Sequence, residues 1–335
     1  MDLKTIGFYT LSDARAAQAN AASPLWRCEL ILTGRCNFRC PYCRSIGGPD
    51  MPLEQAKRTV NLWAGQGLKN IRFSGGEPTM YAGLGELVSL AKARGVERIA
   101  ISTNGASSMA LYEDLFARGV TDFSVSLDAC CAEDGDRMAG GRKGAFARVV
   151  NAIRELSKRT YVTVGVVLTA ENKDSAEAIV RFADSLGVAD IRVIPAAQDG
   201  ERLPTLRLGE ELLTKYPILR YRTANLAAGK KVRGLSSDGP AKCGLVLDDM
   251  AVMGDKHYPC IIYLRENGEP IGAVGPGMRA EREAWHKAHD SFEDPICAAN
   301  CLDVCCDYNA AHARFATANA ELTGDGQAQL DRRPG

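Results

Sequence analysis

The chain has 335 residues, of which 46% are hydrophobic, so it can bury one large core and a smaller one. Its formal net charge is zero, which argues against a broad basic surface for sequence-independent binding to nucleic acid or anionic membranes. Residues Met1–Asn20 lack the basic and apolar regions of a secretory signal, and no stretch reaches the ~18 apolar residues of a membrane span. We therefore expect a cytoplasmic protein with no membrane partner.

Short apolar strands alternate with amphipathic helices from about Leu25 to Pro195. The predicted strands are Trp26–Thr33, Asn70–Ser74, Arg98–Thr103, Asp122–Asp128, Tyr161–Thr169 and Asp190–Pro195. The predicted helices are Pro52–Gly65, Gly85–Arg94, Ser108–Ala117, Ala145–Lys158 and Ser175–Leu186. This alternation predicts a parallel sheet, either doubly wound or curled into a full or partial barrel, with its chemistry at the C-terminal strand ends.

The alternation of predicted strands and helices ends after Pro195. Gln198–Leu206 and Gly229–Pro240 have the composition of connecting loops, and a cysteine-rich stretch with little periodicity follows. We divide the chain into an N-terminal extension (1–24), a core (25–200), a linker region (201–242), a small cysteine-rich module (243–318) and a disordered tail (319–335).

The 12 cysteines occur in groups, and thiols stay reduced in the cytoplasm, so we interpret the groups as metal ligands before disulfides. Cys36, Cys40 and Cys43 follow the first strand directly, with loops short enough to turn their sulfurs inward. Three thiolates leave one iron of a [4Fe–4S] cluster open to another ligand. A zinc knuckle completed elsewhere in the chain is the alternative. Cys28 alternates with apolar neighbours and is predicted to be a core thiol.

The spacing CxxxCxxC, with Tyr42 before the last cysteine, resembles the radical S-adenosylmethionine (SAM) superfamily. Further landmarks of that family occur in order at later strand ends. They are Gly75-Gly76-Glu77-Pro78, Ser102-Thr103-Asn104-Gly105, Ser126-Leu127-Asp128 and Ile194-Pro195. The resemblance covers roughly Trp26 to Pro195. It implies a partial (β/α)6 barrel within the α/β class.

The resemblance also implies roles for these residues. Cys36, Cys40 and Cys43 would hold the cluster whose open iron binds SAM. One electron would cleave SAM to methionine and a 5′-deoxyadenosyl radical, which abstracts hydrogen from a substrate C–H bond. Glu77 would accept a hydrogen bond from the methionine ammonium. The implied cofactor-binding set is Tyr42, Gly75, Gly76, Glu77, Ser102, Asn104, Ser126, Asp128 and Ile194.

The late cysteines resemble the Twitch or SPASM extensions that carry auxiliary iron–sulfur clusters. The spacing between Cys243 and Cys260 fits, but the later block departs from the fuller SPASM pattern, so we expect one auxiliary cluster. Its ligands would be Cys243, Cys260 and two of the later four cysteines, the pair being undetermined. Those four are Cys297, Cys301, Cys305 and Cys306. A structural zinc site is the alternative, and His257 is expected to be a surface or structural residue.

Cys130 and Cys131 lie just past the fourth predicted strand. One of them is a candidate hydrogen-atom donor to a substrate radical, as in some radical epimerases; the alternative is a pair of partly buried small residues. Asp128 could act as a base in a dehydrogenation or bind the ribose, and the second role is favoured.

The expected activity is hydrogen abstraction leading to isomerisation, epimerisation or oxidation of a small molecule, modified nucleotide or peptide, with an electron donor such as flavodoxin or ferredoxin. One alternative is a phage-type isomerase that rearranges an amino-acid adduct of thymidine in DNA hypermodification, which residues 257–265 resemble. A second is a peptide-modifying maturase. A third is a non-catalytic iron–sulfur or zinc scaffold, but such a scaffold would not need Glu77, whose implied role is to bind an amino-acid ligand.

Overall fold

The structure is a computed structural model that describes residues 13–44, 46–197, 206–237 and 239–323. Most of the predicted loop Gln198–Leu206 and residues 324–335 of the predicted tail therefore lie outside the described residues. In chain order the elements are α1 (Asp13–Gln18), β1 (Arg27–Thr33), α2 (Leu53–Ala64), β2 (Asn70–Gly75), α3 (Leu84–Ala93), β3 (Arg98–Thr103), α4 (Met109–Arg118), β4 (Asp122–Ser126), α5 (Ala132–Met138), α6 (Ala145–Ser157), β5 (Tyr161–Leu168), α7 (Ala176–Ser185), β6 (Asp190–Pro195), α8 (Glu210–Lys215), α9 (Pro217–Ala227), β7 (Asp249–Met253), β8 (Lys256–Tyr258), α10 (Ile261–Arg265), β9 (Gly272–Ala273), α11 (Met278–Ala288), α12 (Pro295–Asn300) and α13 (Asp303–Thr323).

The chain forms two compact units. The sheet unit comprises Glu29–Gly65 and Lys69–Val232, and the cysteine-rich unit comprises Met1–Cys28, Gln66–Leu68 and Arg233–Gly335. Within the described residues, no helix is both long and apolar enough to cross a membrane.

The sheet unit contains strands in the order β6-β5-β4-β3-β2-β1, and β2 to β6 pair in parallel. Each parallel pair is joined through helices, as parallel strands require. The predicted α/β class and partial-barrel architecture are confirmed. The C-terminal ends of β2, β3 and β4 therefore meet at one edge of the sheet.

The two faces of the parallel sheet differ in chemistry. One face is apolar and buried, because residues such as Phe73, Ile101 and Phe123 alternate with polar ones along each strand. The other, here called the polar face, carries polar or charged side chains on five neighbouring strands. They are Arg72, Ser102, Ser124, Thr163 and Arg192. The register places Ser102, Ser124 and Thr163 in one row across β3, β4 and β5.

The helices of the sheet unit bury the residues that produced the helical pattern in the sequence. In α6, Val149, Ile153 and Leu156 are buried at helical spacing. Phe146 on the same helix stacks on Phe182 of α7 with ring centroids 5.6 Å apart. The start of α6 is held by Asp136, whose carboxylate accepts hydrogen bonds from the backbone N–H groups of Gly144 (2.6 Å) and Phe146 (2.9 Å).

The cysteine-rich unit is built differently. Its strands β7, β8 and β9 pair antiparallel, and its helices pack on a small apolar cluster. The cluster consists of Ala16, Ala19, Leu245, Tyr308 and Ala311. Cys28 is fully buried, as predicted for a core thiol.

The structure corrects three of the predicted segment boundaries. Residues 201–242 are not only a linker, because α8 and α9 lie there and belong to the sheet unit. The extension 1–24 contains α1, which packs on α13. The first residues of the predicted tail 319–335 belong to α13, which ends at Thr323. These helices are short or weakly amphipathic, so the hydrophobic pattern did not reveal them.

Candidate active site

Cys36, Cys40 and Cys43 lie on the loop that follows β1. The loop turns at its end, where the backbone N–H of Cys43 donates to the carbonyl of Cys40 at 3.0 Å. The Sγ of Cys36 accepts a 3.3 Å hydrogen bond from the N–H of Phe38. Burial, together with the charges of Asp128, Cys43 and Cys36, raises the pKa of Cys40 to about 12. The three thiols are thus close enough for each other's charge to matter, and a bound cation would relieve that repulsion.

The base of this loop is closed by a polar network that the sequence did not reveal. The hydroxyl of Thr33 donates to Oδ1 of Asp50 at 2.6 Å and accepts from the N–H of Arg35 at 3.0 Å. The guanidinium of Arg35 pairs with both oxygens of Asp50, at 3.0 and 2.6 Å. The two ends of the cysteine loop are therefore fastened together before any metal binds.

Gly75 and Gly76 bring the end of β2 against this loop. The N–H of Gly76 donates to the carbonyl of Thr33 at 2.7 Å. An added Cβ on Gly75, whose φ is +144°, would lie 2.4 Å from that carbonyl oxygen, and one on Gly76 would lie 2.2 Å from the carbonyl oxygen of Arg35. The lack of a side chain at both glycines therefore permits a close approach to the backbone of the cysteine loop.

The Glu77 carboxylate is 1% exposed and is surrounded by the protein's own donors. Oε1 accepts from the N–H of Thr79 (3.1 Å) and from the hydroxyls of Thr79 (2.6 Å) and Thr103 (2.8 Å). Oε2 accepts from the N–H of Asn104 at 2.7 Å. Burial raises the pKa of Glu77 and these hydrogen bonds oppose the rise. Oε1 thus accepts three hydrogen bonds and Oε2 one, which leaves Oε2 with acceptor capacity, and the contact with the methionine ammonium stays a prediction.

Asn104, at the end of β3, links Glu77 to the cysteine loop. Its side-chain amide donates to Oδ1 of Asn37 at 2.6 Å, and the same nitrogen lies 3.8 Å from Sγ of Cys36. Its Oδ1 accepts from the N–H of Ala106 at 3.0 Å. Thr103, one residue earlier, also contacts the hydroxyl of Tyr112 at 3.0 Å. The ends of β2 and β3 are therefore tied to one cysteine ligand candidate.

Ser102 faces the polar side of the sheet. Its hydroxyl accepts a 3.0 Å hydrogen bond from the guanidinium of Arg72 on β2. Arg192 of β6 lies on the same face opposite Gly165, where an added Cβ would be 3.6 Å from the Arg192 guanidinium.

Tyr42 and Asp128 are directly hydrogen-bonded. The phenol of Tyr42 donates to Oδ2 of Asp128, and Oδ1 accepts from the N–H of Val167 at 2.7 Å. Burial raises the pKa of Asp128 to about 6, and the hydrogen bonds from Tyr42 and Val167 oppose the rise. Each oxygen of Asp128 thus accepts one hydrogen bond from the protein, and its contact with a ribose stays a prediction.

The remaining predicted residues of this site lie at the same edge. Ser126 ends β4 and is exposed, and Ile194 is half-buried on β6 opposite Val167. Cys130 is half-buried, whereas Cys131 is exposed and its thiol donates to Asp134 at 3.1 Å. Sequence reasoning missed Arg72, Thr79 and Asn37, although their positions inside a motif or within three residues of one were a usable signal.

Residues 30–183 match the family model of the Radical SAM superfamily. The chain carries a radical SAM domain. The family uses a [4Fe–4S] cluster and SAM, and the donor set fits both, since three thiols on one loop leave an iron free for SAM. Cys36, Cys40 and Cys43 lie within the matched residues, and their role as cluster ligands stays a prediction from the motif they form.

Several proteins named GTP 3′,8-cyclase resemble this chain. That of Chlorobaculum tepidum is 28% identical over 212 residues, which cover 59% of this chain and 64% of the relative. That of Syntrophomonas wolfei is 34% identical over 166 residues, covering 46% of this chain and 50% of the relative. The chain thus spans less than two thirds of the length of these relatives.

Solved structures share the fold at low identity. Streptococcus suis SuiB bound to precursor peptide SuiA is 13% identical, with a TM-score of 0.57 and coverage of 85% of this chain and 76% of that one. Native anSMEcpe with bound AdoMet and Cp18Cys peptide is 14% identical, with a TM-score of 0.57 and coverage of 90% and 99%. At these identities the likeness concerns the fold.

The second group of cysteines lies in the cysteine-rich unit. Cys243, Cys260, Cys297, Cys301, Cys305 and Cys306 are all half-buried free thiols. His257, expected at the surface or in a structural role, is fully buried and donates or accepts a 2.8 Å hydrogen bond with Glu281. His289, Asp294 and Cys297 place ligand atoms within 4.8 Å of one another.

Proposed function

We propose that this protein cleaves SAM reductively and uses the resulting radical to abstract hydrogen from a substrate. The observation that carries the proposal is the loop that holds Cys36, Cys40 and Cys43 near one another. A hydrogen bond between Thr33 and Asp50 joins the two ends of this loop, and the end of β2 packs against it. When bound there, a [4Fe–4S] cluster supplies the electron that breaks a carbon–sulfur bond of SAM.

The protein's own residues hold the site in shape. Glu77 joins the ends of β2 and β3 through its four hydrogen bonds, and Asn104 extends that link to Asn37 and Cys36. Tyr42 connects the other end of the loop to Asp128. Each donor set is largely complete without a ligand, so the loop is preorganised, which reduces the cost of binding. None of these side chains has to act as an acid or base in this step.

The test is release of 5′-deoxyadenosine after anaerobic reconstitution with iron and sulfide, followed by dithionite and SAM. Cys40→Ala is expected to abolish the release. The buried Cys28→Ala, which removes a thiol outside the loop, serves as the matched control and should retain it. Equal release by Cys40→Ala and wild type would contradict the proposal. Replacing dithionite by reduced flavodoxin or ferredoxin tests the expected electron donor.

The fate of the substrate radical separates three reaction types. Epimerisation needs a thiol donor, and the candidates are the exposed Cys131 and the half-buried Cys130, which follow β4. Oxidation needs an acceptor for an electron, which an auxiliary cluster in the cysteine-rich unit would supply. Isomerisation returns the hydrogen from 5′-deoxyadenosine. Deuterium from solvent in the product, lost in Cys130→Ala or Cys131→Ala, would indicate epimerisation.

GTP is a second, more specific candidate substrate. It is suggested by the name of the relatives and by two arginines, Arg72 and Arg192, on the polar face, because guanidinium groups bind phosphates well. The test is GTP consumption in the reconstituted enzyme with SAM. Arg192→Gln should raise the KM for GTP at least tenfold if the nucleotide binds there. A peptide substrate is the other candidate, since the structural neighbours include complexes with peptides.

A further inference from the structure

Cys260 and Cys297 are brought together by caps of neighbouring helices. The Sγ of Cys260 accepts from the N–H of Tyr263 at 3.4 Å, at the start of α10. The hydroxyl of Tyr263 donates to Oδ2 of Asp294 at 2.8 Å. Oδ1 of Asp294 accepts from the N–H of Cys297 at 3.0 Å and so caps α12. One chain of hydrogen bonds therefore fixes both cysteines.

Cys243 and Cys305 are joined through α13. Both pack against the apolar cluster of the cysteine-rich unit. Asn309 lies four residues after Cys305, on the same face of the helix. Its amide nitrogen lies 3.8 Å from Sγ of Cys243, and its Oδ1 accepts from the N–H of Leu245 at 3.0 Å. Cys305 therefore lies on the face of α13 that meets Cys243.

Electrostatics connects these two pairs. Burial is the largest cause that raises the pKa of Cys243 (to about 11), Cys260 and Cys297. The thiolate charge of Cys305 raises all three, and Cys243 and Cys260 each raise the pKa of Cys297. The four thiols thus influence each other in every pairing. Cys301 contacts this group through Cys305, because hydrogen bonds with Cys305 and Cys306 are the main cause of its raised pKa.

Arg282 is a buried cation close to these thiols, with 1% of its surface exposed. Its donors reach the carbonyls of residues that flank two of the cysteines. They are Val246 (2.8 Å), Asp249, Tyr258 (3.1 Å) and Pro259 (3.2 Å). Arg282 thus fixes the backbone after Cys243 and immediately before Cys260.

The charge of Arg282 has no carboxylate in direct contact among the described residues. Its remaining contact is Nδ1 of His257 at 3.2 Å, and Nε2 of the same imidazole is hydrogen-bonded to Glu281. The carboxylate of Asp249 pairs with Arg27 at 2.8 Å. Burial lowers the pKa of Arg282 to about 10, although the nearby charge of Asp249 opposes the fall, so the group stays charged at neutral pH. A buried charge is costly unless an opposite charge lies near.

We propose that Cys243, Cys260, Cys297 and Cys305 are the complete ligand set of one auxiliary [4Fe–4S] cluster, with Arg282 as its positioning residue and countercharge. The proposal rests on the proposed function, of which it specifies the second metal centre. Four thiolates leave no iron open, so this cluster binds no SAM. A cluster held by thiolates alone is anionic and becomes more so on reduction, so Arg282 favours the reduced form. Cys301 and Cys306 are not ligands.

The ligand set is tested by iron and sulfide analysis of the full chain carrying Cys36→Ala, Cys40→Ala and Cys43→Ala, so that only the second centre loads. We expect about four irons per chain after anaerobic reconstitution, from cubane stoichiometry. Adding Cys243→Ala, Cys260→Ala, Cys297→Ala or Cys305→Ala should lose most of that iron. Cys301→Ala and Cys306→Ala, matched thiol losses in the same segment, should keep it.

The outcomes distinguish the two levels of the proposal. Iron-free protein in the triple variant, or one zinc without sulfide, would overturn the auxiliary cluster, while SAM cleavage at Cys36, Cys40 and Cys43 could still stand. Iron that depends on Cys301 or Cys306 would overturn only the ligand set.

The role of Arg282 is tested by the midpoint potential of the second centre, followed by electron paramagnetic resonance in the same background. Arg282→Met should make reduction at least about tenfold less favourable, a shift of about −59 mV for one electron. Arg282→Lys keeps the charge and should stay within a few-fold of the parent, even if it loses stability. Arg279→Met, which removes a guanidinium bound to carbonyls elsewhere, should shift it less. The role would be overturned if Arg282→Met had the midpoint potential of the parent, or if Arg282→Lys shifted that potential as far as Arg282→Met does.

Discussion

Oε2 of Glu77, at the end of β2, accepts a 2.7 Å hydrogen bond from the backbone N–H of Asn104, at the end of β3. This bond joins two family motifs that are distant in sequence. In Glu77→Gln, an amide NH2 group would face the donors that now bind the carboxylate, so buried polar groups would be left without a partner. We expect this variant to lose about 1–3 kcal/mol of unfolding free energy. Urea unfolding of the metal-free protein measures this loss.

Metal-free protein is the informative sample, because it contains no SAM. A carboxylate that served only the methionine ammonium would leave the stability of that protein unchanged on substitution and would weaken only SAM binding. Thr103→Val, which removes one donor to Oε1 and keeps the side-chain shape, serves as the partial control and should cost less than Glu77→Gln. Wild-type stability in Glu77→Gln would contradict a positioning role.

Gly75→Ala is expected to prevent iron loading at Cys36, Cys40 and Cys43. The added Cβ would lie 2.4 Å from the carbonyl oxygen of Thr33, at a φ of +144° that side chains rarely adopt. Because the clash is with backbone at the base of the cysteine loop, the loop must move. Iron per chain and 5′-deoxyadenosine release measure the effect.

Gly95→Ala is the matched control for that variant. Gly95 also has a positive φ, +78°, but an added Cβ there meets nothing within 4 Å. It should lose only about 1 kcal/mol of stability and keep its iron. Equal iron loading in both variants would show that the contact at Gly75 does not shape the loop.

Local sequence patterns predicted most strands and helices of the sheet unit. β3 and β6 were predicted with the bounds that the structure has, because alternating burial and helical spacing are both visible within a short window. The role of Glu77 was not predictable in the same way. Its donors come from Thr79, Thr103 and Asn104, and only the folded sheet shows that Thr103 faces the carboxylate.

The cysteine-rich unit was the least predictable part. Its backbone is fixed by Arg282 and by helix caps such as Asp294, which leave no periodic signal in the sequence. The sequence predicted Cys243, Cys260 and two of the four later cysteines as auxiliary ligands and left that pair undetermined. Which of them meet depends on contacts such as the one between Asn309 and Cys243, which joins positions far apart in the chain.

Tyr42→Phe should destabilise the sheet unit by about 1–3 kcal/mol, because it leaves the carboxylate of Asp128 with one donor fewer. Asp128→Asn removes the buried charge and should cost less when Tyr42 is already Phe than when it is present. A double-mutant cycle by urea unfolding measures this coupling. Additive costs would show that the hydrogen bond between the two side chains contributes little.

The pH dependence of stability should carry the signature of Asp190. This carboxylate is fully buried at the start of β6 and accepts from the N–H groups of Ile191 (2.7 Å) and Ile218 (3.0 Å). Burial raises its pKa to about 6 from 3.8, and the hydrogen bonds from Ile218 and Ile191 oppose the rise. The folded state therefore binds the proton more tightly than the unfolded state between these two values.

The sign follows from that difference. The contribution of Asp190 to stability is fully present below pH 4 and is lost as the pH rises through 6, by roughly 3 kcal/mol at 1.36 kcal/mol per pKa unit. Asp190→Asn does not titrate, so its unfolding free energy should gain on that of the wild type between pH 4 and pH 7. Urea unfolding of both proteins across this range measures the difference. Parallel curves would mean that Asp190 is ionised in the folded protein at the same pH as in the unfolded chain.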